Sequence, residues 1–175
     1  MRIGAFELID KLPSFQDLHV IAMLRPWIDV GNVGTIALNK LEKHFGAKEL
    51  GRLARPGTFF DFSRYRPIAR NIEGKRSLSI PNSIINYAIR DDGPDLLFFH
   101  ILEPQSFGED YTDAILEVLD SLKIDTVHIF VDIHCSRQVP SFLSHLIQKI
   151  SNIVDITRFR FICGHINHKI FGRHY

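Results

Sequence analysis

Three short stretches carry side chains that could do chemistry together. In "VGNVGTIALNKLEKHF", residues Val30 to Phe45, Gly31, Asn32 and Gly34 sit where an apolar strand would hand over to a helix. Backbone N–H groups at such a junction favour an anion. The dinucleotide fingerprint G-x-G-x-x-G is absent, since position 33 is Val and 36 is Ile, and no G-x-x-x-x-G-K-[ST] occurs. The glycines therefore read first as architecture, Gly31 for a positive φ and Gly34 for close approach of helix and sheet. In "FFDFSRYRP", Asp61 and Arg66 are placed to pair, Tyr65 to cap a pocket, and Arg66 to hold an anion bidentately. Glu103 ends the apolar run "LLFFHILEP", where a buried carboxyl with a raised pKa would serve as a base. The competing reading makes these residues an exposed strand edge, solvated arginines and a turn acid.

Other reactive types are present without a usable pattern. His134-Cys135 and Cys163-x-His165-x-x-His168 hold zinc-type ligands, but their spacings match no standard structural site, so no metal is expected. There is no G-x-S-x-G and no Cys–His nucleophile pattern. No cofactor and no catalytic residue is assigned.

Positioning these groups requires strands that end near one another. "HVIAML" is a short continuous apolar run, the pattern of a strand buried on both faces. After the glycines, Val33, Ala37, Leu41 and Phe45 recur every four residues, which predicts an amphipathic helix ended by Gly46. "ELGRLA" and "TFFDF" read as short extended pieces, and "SLSIP", "SIINYAI" and "LLFFHIL" as strands, the last two joined by the turn "RDDGPD". Ala114, Ile115, Val118, Leu119 and Leu122 predict a second helix over Asp110–Lys123, with Asp110 and Thr112 as caps. "TVHIFVD" is a further buried strand, Pro140–Asn152 a helix, and Phe159–Cys163 a final strand. Strands alternating with helices imply one α/β domain with a mostly parallel central sheet. Ligands gather at the carboxyl ends of parallel strands, which would put Gly31 and Glu103 at one cleft.

The chain has 175 residues, 45% of them hydrophobic and 23% charged, a composition suited to one packed domain. No apolar run reaches the roughly 20 residues of a membrane helix, and no signal peptide is visible, so a cytoplasmic protein is expected. The net charge of +1 does not suit a dedicated nucleic-acid binder. Charge is unevenly spread: residues 137–175 hold six Lys+Arg against one acid, a surplus too modest to make nucleic acid a partner.

Taken in order, "DVGNVGTIALNKLEKHFGAKELGRL", "FFDFSRYRP" and "DLLFFHILEP", followed by an acidic amphipathic helix and "KIDTVHIFVD", resemble the proteasome assembly chaperone 2 family over about residues 18–132. The resemblance implies a central sheet flanked by helices, related to purine nucleoside phosphorylase-like folds. It implies a prokaryotic member that self-associates, with a proteasome-related protein as a possible partner. The matching positions are Gly31, Asn32, Gly34, Asp61, Tyr65, Arg66, Pro67, Glu103 and Pro104, none with an established catalytic role. Past Asp132 the family's Pro-His-Thr-Arg-Pro motif is replaced by "IHCSRQVPSFLSH", in which only Val139-Pro140 matches. Residues 1–132 are thus read as the family core. Residues 133–175 are read as a divergent or truncated basic segment that completes or flanks the same domain and packs less securely. An interaction protein is expected ahead of an enzyme; the second reading is an anionic-ligand site at Gly31, Asn32, Gly34, Asp61, Tyr65, Arg66 and Glu103.

Overall fold

The apolar runs become the middle of one large sheet. The structure, a computed structural model, describes residues 1–25, 33–124, 126–130, 145–150 and 160–162. In chain order the elements are β1 (Arg2–Ile3), β2 (Phe6–Leu8), β3 (His19–Arg25), α1 (Val33–Phe45), β4 (Lys48–Leu53), β5 (Ile68–Ile72), β6 (Lys75–Ser79), β7 (Ile84–Ala88), β8 (Leu96–Leu102), α2 (Gly108–Ser121), β9 (Thr126–Phe130) and β10 (Arg160–Ile162). Eight strands form one sheet in the order β1-β2-β4-β7-β8-β3-β9-β10, and β5 and β6 form a separate hairpin.

Both faces of the central strands are covered, which explains their unbroken hydrophobicity. On β8, Leu96 and Phe98 face one way and meet Leu38 of α1 together with Met23 of β3. Leu97, Phe99 and Ile101 face the other way, against Tyr111, Ile115 and Leu119 of α2. Residues 145–150 are helical, and Leu146 and Ile150 belong to that same larger core. Phe6 packs edge-on to Phe99 at 5.4 Å, tying the amino-terminal strands to the centre.

The sheet is mixed, which corrects the mostly parallel expectation. Three ladders are parallel (β8–β3, β3–β9 and β9–β10) and four are antiparallel (β1–β2, β2–β4, β4–β7 and β7–β8). The cause is local. A short turn can only return a chain antiparallel, and "RDDGPD" joins β7 to β8 as Gly4-Ala5 joins β1 to β2. Because β2 and β7 each lie between two strands of opposite direction, two inverted strands invert four ladders. In the parallel part helix lies between successive strands: α2 between β8 and β9, and the helical residues 145–150 between β9 and β10.

Helix boundaries follow the expected periods, with two changes at the caps. Gly46 closes α1 at φ +63°, as a left-handed residue after a helix should. At α2, Asp110 lies in the first turn and Thr112 within the helix, its hydroxyl donating back to the Gly108 carbonyl at 2.9 Å. The residue preceding the helix is Phe107 at φ 51°, with no side-chain cap. "TFFDF" is not extended: Pro56–Thr58 form a 3₁₀ turn, and Phe59 and Phe60 are buried beyond it. Among the described residues, no helix is long and apolar enough to cross a membrane.

Candidate site at the carboxyl end of the central strand

β3 and β8 run in parallel register from His19 opposite Leu96 to Arg25 opposite Leu102, so their carboxyl ends align. Glu103 is the first residue beyond β8, half-buried, and residues 103–107 lead from the strand to α2. The loop containing Phe59–Tyr65 folds across this exit. The Phe59 carbonyl accepts from the Gln105 N–H at 2.9 Å and from the Ser106 N–H at 3.3 Å. Gln105 in turn accepts from the Asp61 N–H at 2.9 Å and donates to the Glu103 carbonyl at 2.6 Å. The Tyr65 hydroxyl donates to that same carbonyl at 3.2 Å.

Aromatic packing holds the loop down. Phe59 and Phe60 lie 5.0 and 5.7 Å from the ring of Tyr111 in α2, and Phe60 meets Tyr65 edge-on at 5.9 Å. The Tyr111 hydroxyl is fully buried, 2.5 Å from Ser83 Oγ, which also accepts from the Leu102 N–H at 2.9 Å. Burial drives the Tyr111 pKa far above that of an ordinary phenol, so this hydroxyl stays protonated. The cluster therefore couples the end of β8 to α2 and to the residues entering β7.

Asp61, Tyr65 and Glu103 are thus brought together. A cleft of about 420 Å³ is lined by Asp61, Arg64, Glu103, Pro104, Gln105 and Ser106. A second hollow, about 370 Å³, shares Pro104, Gln105 and Ser106 with it and reaches Phe107, Gly108, Glu109 and His145. The expected Asp61–Arg66 pair is replaced: both Asp61 oxygens accept from Ser63, from its N–H and its hydroxyl, each at 2.8 Å. These bonds hold the Asp61 carboxyl below its ordinary pKa. The basic residue lining the cleft is Arg64, which sequence reasoning passed over in favour of Arg66; Arg66 is exposed. Nor did it find His145 or Gln105, whose roles depend on contacts far apart in the chain. Gly34 is half-buried in the first turn of α1. Gly31 and Asn32 lie outside the described residues, as do Cys135, Cys163 and their neighbouring histidines.

A second polar cluster lies beneath α1. Glu42 Oε1 accepts from His100 of β8 at 2.6 Å and from the Asn86 side-chain amide of β7 at 2.7 Å. Burial pulls the Glu42 carboxyl pKa upward, but the bonds from His100 and Asn86 outweigh it and leave the pKa below its ordinary value. This cluster pins α1 to the sheet.

A mixed α/β sheet between helices, with an aromatic-braced loop across its central strand ends, is the class of domain these features define. Residues 23–131 match the PAC2 family, and the chain belongs to it. The match ends beside Asp132, where the motif resemblance also ends. No curated protein matches the chain significantly. A PAC2 family protein from Streptomyces avermitilis has the same fold at a TM-score of 0.72 and 14% identity, over 88% of this chain and 77% of that one. A proteasome-assembly chaperone homologue from Mycobacterium tuberculosis gives 0.70 and 17%, over 87% and 76%. PbaB of Pyrococcus furiosus, an archaeal proteasome activator, gives 0.57 and 13%, over 98% and 71%.

Proposed function

We propose that this chain is a cytoplasmic protein of proteasome-assembly type that works through protein–protein contacts, including contacts between its own copies. The observation that carries the reading is membership of the PAC2 family over residues 23–131. The fold shared with the Mycobacterium and Pyrococcus proteins supports it. In this reading residues 133–175 complete the same domain, and the kinship with purine nucleoside phosphorylase-like folds concerns the parallel strands β8, β3, β9 and β10. The test is retention of recombinant proteasome α subunits from the encoding organism on the immobilised chain, together with the rate at which those subunits form rings. Retention with an altered rate is expected. Neither retention nor an altered rate, or an organism that encodes no proteasome, would overturn the reading.

A second reading has a specific observation behind it: the cleft beside Glu103 gathers Asp61 and Arg64 on one loop, with Tyr65 bonded at its edge. An anionic small molecule would be held there by Arg64 and Arg66, with Gly31, Asn32 and Gly34 at the head of α1 as further contacts. Nucleotides, phosphate and dicarboxylates should then raise the melting temperature of wild type more than that of Arg64→Ala or Arg66→Ala. Equal shifts in all three proteins would remove this reading.

A further inference from the structure

The hairpin β5–β6 lies outside the main sheet, and every residue of both strands is exposed. Ile68, Ile72 and Leu78 are exposed to 52%, 57% and 64%, a high apolar load for a segment with no core beneath it. A lone two-stranded hairpin is marginally stable in water, so burial against something else would favour its formation. The arm is basic: Arg70, Lys75 and Arg76 stand against Glu73 alone. Among the described residues, none of these three cations makes an ion pair. Like charges disfavour pairing of one arm with another, and they equally disfavour capture of the arm by the chain's own basic residues 137–175.

The opposite charge is on α2. Glu109, Asp110, Asp113, Glu117 and Asp120 are all exposed, and at 3.6 residues per turn they fall within about 100° of the helix surface, with Asp113 already paired to Lys149. The helix carries no Lys or Arg. At its head stands Phe107, 63% exposed, an apolar seat beside the acidic stripe. From this juxtaposition we propose that the β5–β6 arm of one copy docks on the acidic face of α2 in a second copy of this chain by the face that carries Ile68, Arg70, Ile72 and Lys75, its isoleucines against Phe107. Each copy carries both halves, so a reciprocal exchange closes a two-fold pair. This deepens the interaction-protein reading and rests on it.

Charge reversal tests the pairing in the full-length chain. Arg70→Glu with Lys75→Glu makes that face of the arm acidic against an acidic stripe, and Glu117→Lys with Asp120→Lys makes the carboxyl-terminal half of the stripe basic against a basic arm. By sedimentation velocity each double variant should self-associate at least about tenfold more weakly than wild type. An equimolar mixture of the two has complementary charges at both contacts and should form a 1:1 pair within about threefold of wild-type affinity. Added salt should weaken the wild-type pair. All four residues are exposed, so unchanged circular dichroism is expected; Ile68→Ser with Ile72→Ser provides a second, charge-neutral variant that should also weaken association. A wild type that stays monomeric to about 100 µM, a concentration where even weak specific dimers form, would overturn the proposal. So would double variants that associate like wild type, or a mixture that fails to pair. Weakening by the arm variant alone would place the arm on a surface of its partner copy other than α2 and overturn the proposed contact. Loss of α-subunit retention with the mixing result intact would count against the proteasome reading only.

Discussion

At the scale of single residues, buried polar groups do most to specify how the layers meet. Glu42 is 15% exposed and takes bonds from two different strands, so α1 is located by one carboxylate as well as by Leu38. Its pKa is depressed in the folded chain, so its contribution is complete above its ordinary value of 4.5 and is lost as pH falls through the folded value. Glu42→Gln should therefore cost about 1.5–3 kcal/mol near neutrality, the range for hydrogen bonds to charged groups. In urea titrations the gap from wild type should close as pH is lowered below that ordinary value. A gap that is flat with pH would show that the carboxylate charge is irrelevant. Ser83 and Tyr111 make a different prediction. Tyr111→Phe removes the bond between the phenol and Ser83 and leaves Ser83 still accepting from the Leu102 N–H, at a cost of about 1 kcal/mol. Ser83→Ala removes both the bond to the phenol and the acceptor that Ser83 offers the Leu102 N–H, so it should cost about 2–3 kcal/mol. Equilibrium unfolding of the two variants decides the order.

At the scale of elements, close approach of strands sets what can be changed. A Cβ on Gly51 would stand 2.3 Å from the Leu8 side chain and 2.5 Å from the Glu7 carbonyl oxygen, and backbone cannot yield as a side-chain tip can. Gly51→Ala should destabilise by about 1–3 kcal/mol, the usual cost of overpacking. Amide exchange should rise first in β2 and β4 and leave β3 and β8 protected. The elements read correctly from sequence are those whose pattern comes from burial: β3, β8 and β9 as apolar runs, and α1 and α2 by their four-residue spacing. β1, β2 and β5 escaped notice. β1 and β2 are too short to show a period, and β5 is exposed throughout, so no burial marks "IARNI" as a strand. The candidate site was legible in part. Asp61, Tyr65 and Glu103 announced themselves by type, but their meeting depends on Gln105 and on Phe59 and Phe60, which sequence separation conceals. The strand directions were misjudged because alternation of helix and strand says which segments cross over, not how many short turns invert the ladders between them.

At the scale of the molecule, the carboxyl-terminal third is tied to the rest at named points. Leu146 and Ile150 are 1% and 2% exposed, and Lys149 is paired with Asp113 of α2. Leu146→Ala or Ile150→Ala should each lower stability by about 2–5 kcal/mol, as for any well-packed core position. A loss below about 0.5 kcal/mol by chemical denaturation, the range of surface changes, would show that these residues only lean on the domain. The position of β3 has a consequence for how the chain is made. His19–Arg25 is translated early, yet its two neighbours in the sheet are β8 and β9, which begin at Leu96 and Thr126. A ribosome must deliver most of the polypeptide before this apolar strand finds either flank, and such long-range pairing is slow even then. For all that time the nascent chain carries one of its stickiest segments unburied, and a cell making this protein must shield that segment itself.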